Sequence, residues 1–184
     1  MANAIAGDPE NTLVLETTPG TIVIKLRTDV APKHAERLKM LAREGFYDNV
    51  PFHRVIDGFM AQTGDGQHGN GTGGSKHPDL KAEFSPVPFD RGIVGMARKG
   101  HSNHSANSQF FIMFDEGHFL NRQYTVIGEV VEGMDVVDKL YSGYGEGAPR
   151  GNGPDQGRIQ SQGNAYLTKD FANLDYIKKA IIQK

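Results

Sequence analysis

Arg54 and Gln62 stand eight residues apart in the stretch PFHRVIDGFMAQTGD (51–65), among Phe52, Ile56, Phe59 and Met60. A guanidinium and a carboxamide contain no nucleophile. Over an apolar surface they would act as fixed hydrogen-bond donors, which stabilise charge or lone pairs developing in a reaction. The ordinary alternative is a strand arginine that snorkels or pairs with a carboxylate. Two registers are open. If the chain merely kinks at Asp57-Gly58, alternation puts Arg54, Ile56, Met60 and Gln62 on one face. If Asp57-Gly58 is a two-residue hairpin turn, Ile56 pairs with Phe59 and Arg54 with Ala61, which separates Arg54 from Gln62.

Other chemistries find less support. The chain has no cysteine, which removes thiolate nucleophiles, disulfides and cysteine-based zinc sites together. No Gly-x-Ser-x-Gly elbow occurs. GNGTGG (69–74) lacks the Gly-Lys-Ser/Thr end of a phosphate loop. His34, His53, His68, His77, His101, His104 and His118 are scattered. The pair His101 and His104 has loop spacing without a neighbouring carboxylate or cysteine, so neither a metal nor a cofactor is expected.

An apolar pocket under Arg54 needs aromatic strands nearby. SANSQFFIMF (105–114) places Gln109 and Phe111 on one face and Phe110 and Ile112 on the other, and its unbroken apolar run reads as a strand buried on both sides. HFLNRQYTVIG (118–128) offers Phe119 and Leu120 at a loop or short turn, where apolar residues often line a binding surface.

The elements that would position these groups follow from periodicity. Residues 11–27 read as two strands around Thr18-Pro19-Gly20. Residues 31–45 read as a helix with Pro32 in its first turn, Gly45 as its stop, and an apolar stripe of Ala35, Leu38, Leu41 and Ala42. Residues 64–90 read as a long surface loop. Residues 91–98, 108–114 and 123–131 are three further strands, and 132–144 a second helix. Residues 142–157 form a loop or linker, and a short strand lies near Ile159. Residues 166–182 read as helical, with Phe171, Leu174, Ile177 and Ile181 on one side. Glycine, 23 of 184 residues, is well above its usual share of about 7%. The expected fold is mainly β: an eight-stranded antiparallel closed barrel capped by two α-helices, with a C-terminal helical extension. Residues 1–164 would be the main domain, and 165–184 the extension packed on it.

Net charge is −2, so neither nucleic acid nor an anionic membrane is an expected partner. No apolar run approaches the ~18–20 residues of a membrane span. The opening MANAIAGDPENT has neither a basic nor an apolar signal region. A cytoplasmic location is expected for the sequence as written, and a periplasmic one if a signal peptide preceded residue 1. Composition and charge fit a monomer.

Taken together, FHRVIDGFMAQTGD (52–65), GTGG (71–74), GIVGMAR (92–98), SANSQFFI (105–112) and FLNRQYTVIGEVVEGMDVVDKL (119–140) resemble the cyclophilins, peptidyl-prolyl cis-trans isomerases, of the bacterial kind. The resemblance runs from about residue 12 to 162. It implies an isomerase of X-Pro bonds in unfolded or flexible segments, assisting folding, with no cofactor. A non-catalytic proline-peptide binding module or chaperone using the same groove is the alternative, against which the presence of both Arg54 and Gln62 argues. The resemblance implies a kink at the glycine with Arg54 and Gln62 together on the outer face. Arg54 matches the catalytic arginine and Gln62 the amide that orients it. Phe59, Met60, Phe111 and Leu120 match the proline pocket. Ala97 and Gln109 flank the preceding substrate positions, Gly71 lines the groove, and His53 is adjacent. Arg98 stands where many members have Asn and contact substrate through backbone groups. Phe119 stands where many eukaryotic members have Trp, which implies weakened cyclosporin binding. Tyr124 stands where those members have His.

Overall fold

Thr12–Thr17 (β1) and Thr21–Leu26 (β2) pair antiparallel, with Leu13 opposite Ile24 and Leu15 opposite Ile22. Thr17 and Gly20 exchange backbone hydrogen bonds of 2.8 and 3.2 Å across the intervening Thr18-Pro19, as the Pro-Gly signal predicts. The structure, a computed structural model, describes residues 9–65, 74–99, 102–140 and 175–183.

Pro32–Arg43 form α1, with Pro32 at its first position. Its N-terminus has no side-chain cap from Ala31. Instead the Glu83 carboxylate accepts the His34 N–H at 2.9 Å, placing an anion where the helix dipole favours one. At the other end Gly45 takes φ +74°, and Gly45 N–H and Phe46 N–H donate to the carbonyls of Ala42 and Leu41. This is the Schellman arrangement that the glycine predicts. Ala35, Leu38, Leu41 and Ala42 are buried as the stripe requires. Arg37 and Lys39, off that stripe, are buried too, because each finds polar partners: Arg37 donates to the carbonyls of Pro78 and Asn107, and Lys39 to Asn11 Oδ1.

Val50–Pro51 (β3), Arg54–Ile56 (β4), Met60–Thr63 (β5), Ile93–Met96 (β6), Phe110–Met113 (β7), Val126–Glu132 (β8) and Tyr176–Ile182 (β9) complete one sheet. Its order is β3-β9-β1-β2-β8-β6-β7-β5-β4, so the described residues are mainly β with nine strands rather than the eight expected. Every pairing is antiparallel. Along the chain only Phe52-His53 separates the two ends of this order, so the sheet must curl round. Among the described residues no backbone ladder joins β3 to β4, so they form a curled nine-stranded sheet rather than the closed eight-stranded barrel expected. The division has a local cause: the fully buried Phe52 turns its N–H to the Asp175 carbonyl at 2.8 Å, pairing β3 with β9 and leaving β4 to β5.

Two further expectations are corrected. Among the described residues the second helix, expected over 132–144, is the single turn Met134–Val137 (α2), after which Lys139 and Leu140 donate to carbonyls three residues back and the spiral tightens; residues 141–144 lie outside the described residues. Residues 176–182, expected to be helical, are the strand β9; residues 166–174 and the strand near Ile159 lie outside the described residues. Strand wins because β1 otherwise presents an open edge, and β9 covers it while burying Ile177, Ala180 and Ile182.

Alternation along the strands makes two apolar clusters. Leu13, Leu15, Ile22, Ile24, Val55, Ala61, Val94 and Ile112 face inward and are joined by Leu38 and Leu41 of α1. Met60, Phe89, Ile93, Phe111, Met113, Leu120 and Val126 form a second cluster. No helix among the described residues is long and apolar enough to cross a membrane.

Candidate active site

β4 and β5 form a hairpin in which Arg54 pairs with Gln62, Val55 with Ala61 and Ile56 with Met60. Asp57, Gly58 and Phe59 connect them, with Gly58 at φ +75° and the Phe59 N–H donating to the Ile56 carbonyl at 3.0 Å. The connection is neither a kink nor a two-residue turn. Its third residue restores the register that a two-residue turn would break, and cross-strand partners share a face. Arg54 and Gln62 therefore lie side by side, for a different backbone reason than the resemblance implied.

The same face continues across the sheet. Gln62 pairs with Phe111 of β7, and Phe111 with Gly95 of β6, so Arg54, Gln62, Phe111 and Gly95 form one row across four strands. Arg54 Nη1 lies 3.5 Å from Gln62 Oε1, and Gln62 Nε2 donates to Gln109 Oε1 at 3.0 Å. That second bond fixes which way the carboxamide points, with its oxygen toward the arginine.

Around this row opens a cavity of about 330 Å³ lined by His53, Arg54, Phe59, Met60, Gln62, Ala97, Arg98, Phe111, Leu120 and Tyr124. Ten of the thirteen residues named from the sequence thus meet in one place. Gln109 joins them through Gln62. Phe119 stands outside the lining, at 71% exposure, with its ring 5.6 Å from that of Phe59. It sits with Leu120 on the short 3-10 turn His118–Leu120. Gly71 lies outside the described residues.

Two residues that build the floor are not among those named from the sequence. The Phe89 ring stacks on Phe111 at 5.8 Å and 20°. A Cβ on Gly95 would stand 2.6 Å from both Phe111 Cζ and Phe89 Cε1. The glycine lets two rings lie against the strand. Its signal was present in GIVGMAR, since a glycine inside a strand often marks a close approach. Phe89 carried no signal, being set in a stretch without periodicity. Its backbone is clamped by Asn121 Oδ1, which accepts its N–H, and by the Gly117 N–H, which donates to its carbonyl.

The polar groups divide by burial. His53 is buried, and burial pushes its pKa down to about 4, against a smaller upward pull from Asp65, so the ring is neutral near pH 7. Arg98 lies over Tyr124, its guanidinium carbon 4.4 Å from the ring centroid, and Tyr124 meets Phe111 edge-on. Elsewhere, Asp90, Glu116 and His118 bring ligand-type atoms together on the surface. There His118 Nε2 and Asp90 Oδ1 are 2.6 Å apart, and this hydrogen bond holds the His118 pKa above its usual value. What the cavity offers chemically is a floor of buried aromatic rings with a guanidinium hydrogen-bond donor at one wall.

The family described as cyclophilin type peptidyl-prolyl cis-trans isomerase/CLD matches residues 12–161. A probable peptidyl-prolyl cis-trans isomerase of Brucella suis is 59% identical over 150 residues, 76% of each chain. Peptidyl-prolyl cis-trans isomerase B of Escherichia coli is 40% identical over 136 residues, 70% of this chain and 82% of that one. In three dimensions the chain is similar to the cyclophilin AquaCyp293 from Hirschia baltica, with TM-score 0.73 and 26% identity over 95% of this chain and 74% of that one. The match takes in every strand but β9, and with it the whole described wall of the cavity: the chain belongs to the cyclophilin-type peptidyl-prolyl cis-trans isomerases and is an enzyme of that class.

Proposed function

We propose that this isomerase turns its X-Pro bond in the cavity over Phe111, with the proline ring held by Phe59, Met60, Phe111 and Leu120 and with Arg54 beside the proline nitrogen. The observation that carries the reading is the row Arg54–Gln62–Phe111, which sets a guanidinium, the amide that aims it and an aromatic floor on one face.

Rotation about the bond opposes partial double-bond character, a barrier of about 18–20 kcal/mol. At the twisted geometry the proline nitrogen regains its lone pair and accepts a hydrogen bond that neither planar form can accept. A donor placed there favours the twisted state over both ground states, which is the condition for raising the rate. Lowering the barrier by about 7 kcal/mol gives about five decades. No nucleophile and no proton transfer enter the step. Ala97, Gln109 and, by resemblance alone, Gly71 flank the residues before the proline. His53, Arg98 and Tyr124 complete the wall, and Phe119 the rim.

The substrates under this reading are proline-bearing segments of unfolded or flexible proteins, in which uncatalysed isomerisation takes tens to hundreds of seconds. The curled sheet acts as a closed barrel; supporting this, Thr63 Oγ1 of β5 donates to the Pro51 carbonyl of β3 at 2.9 Å, across the gap between its ends.

The test is turnover of an Ala-Pro peptide by Arg54→Ala and Arg54→Lys, with folding followed by circular dichroism. Both should lose about a hundredfold or more, because lysine lacks the planar fork that Gln62 aims. Near-wild-type rates in both would remove Arg54 from the step.

A further inference from the structure

We propose that the mouth of this cavity selects acidic residues within two positions of the proline, and that the Arg98 side chain receives their carboxylates. The proposal rests on the placement of the reaction given above and adds a substrate preference to it.

Among the described residues the lining contains two guanidinium groups, Arg54 and Arg98, and no aspartate or glutamate. The protein as a whole carries a net charge of −2, so this cationic lining is local. Burial keeps the third basic group, His53, uncharged near neutrality.

Arg98 differs from other arginines on the surface. Arg27, Arg43 and Arg91 each hold a carboxylate, from Asp29, Glu10 and Asp138. Among the described residues Arg98 bonds only to carbonyls: Nε and Nη2 donate to Gln123 O at 3.1 and 3.0 Å, and Nη1 to Lys99 O at 3.3 Å. A guanidinium has five N–H groups, so one is left on each terminal nitrogen for an incoming carboxylate. The carbonyl bonds and the Tyr124 ring beneath hold it in place, so little side-chain entropy is lost when an anion arrives. Next door, the Ala97 N–H donates to the Gln109 carbonyl at 2.9 Å and pins the backbone.

The reach is appropriate. Tyr124 stands 5.7 Å from Phe111, ring centre to ring centre, with Arg98 a further 4.4 Å away. Arg98 is therefore no more than about 10 Å from the proline floor, within range of a side chain one or two residues along the peptide.

The test uses pairs of proline peptides differing only in Glu against Gln, placed before the proline in one pair and after it in the other. kcat/KM is measured at low and high salt for the wild type, Arg98→Gln and Arg98→Lys. The quantity read is the Glu/Gln ratio within each protein, which cancels any general effect of the substitution on the pocket. In the wild type at low salt the ratio should reach about fivefold in at least one pair, the scale of a solvent-facing ion pair. It should fall toward one at high salt and in Arg98→Gln, and survive in part in Arg98→Lys. A wild-type ratio near one in both pairs, or a ratio that persists in Arg98→Gln, overturns the proposal. The placement of the reaction is read separately, on the neutral Gln peptide in Arg54→Lys.

Discussion

A single absent methyl group sets the depth of the proline floor. Gly95 pairs with Phe111, and the ring crosses the strand where a Cβ would be. In Gly95→Ala, Phe111 and Phe89 must both move, since the added carbon would stand 2.6 Å from each. Overpacking of this kind costs about 1–3 kcal/mol. The displaced floor should also raise KM for a proline peptide severalfold, and unchanged kinetics with a lowered melting point would mean that the ring does not carry the substrate. At this scale the sequence was most informative. Arg54, Gln62 and Phe111 could be picked out because donors and aromatic rings declare their chemistry by type, and Met60 through the family resemblance. Phe89 could not, because it lies in an aperiodic stretch, and Gly95 announced only a close approach to its strand, not the rings that make it.

The hairpin β4–β5 shows what is decided between residues. Asp57-Gly58 was recognisable as a turn or a kink, but the number of connecting residues, which fixes the face of Gln62, depends on where pairing stops. Gly58 takes φ +75° with no atom within 4 Å of a would-be Cβ, so Gly58→Ala meets conformational strain and no clash. It should lower stability by about 1 kcal/mol and leave turnover on an Ala-Pro peptide near wild type. A large kinetic loss would show that the hairpin moves during the reaction. The tail shows the opposite failure of local reading. Phe171, Leu174, Ile177 and Ile181 fall at helical spacing, yet 176–182 pairs with β1 and β3 because an open sheet edge outweighs a weak period. Truncation after residue 174 uncovers β1 and removes Ile177, Ala180 and Ile182 from the core. At about 1.5–3 kcal/mol for each large side chain, that is comparable with the whole stability of a domain. The truncated protein should be insoluble or unfolded; a soluble product with an unchanged melting temperature would refute the strand's structural role.

Across the whole molecule, the mainly β architecture with two helices was legible in the spacing of short apolar runs and turn residues, but the burial of charged and titratable groups was not. Which of seven histidines end up dry depends on how the sheet curls and where α1 lies on it. His53 sits in the cavity wall, and His34, on α1, is fully buried with Nδ1 2.6 Å from Glu83 Oε1. Burial lowers both pKa values, and for His34 the Glu83 carboxylate opposes the effect only in part. The sign follows from linkage: the unfolded chain takes up protons near pH 6.5 that the folded chain refuses until about pH 4 at His53. Stability from these groups is complete above pH 6.5 and is lost as pH falls toward 4. For His53 the loss amounts to about 3 kcal/mol at most. The pair His118–Asp90 works the other way, since a raised histidine pKa helps below pH 6.5 and fades as pH rises, but both partners are exposed and solvent weakens it. The expected result is a stability curve, from urea unfolding, that declines steadily between pH 6.5 and 4.5. In His53→Gln the same decline should be distinctly shallower, whatever the substitution does to stability at pH 7. Turnover of a neutral peptide should meanwhile stay level from pH 5.5 to 8, because His53 keeps its charge state over that range. An undiminished slope in His53→Gln would mean that the imidazole is hydrated in solution and that the cavity wall is wetter than its packing implies.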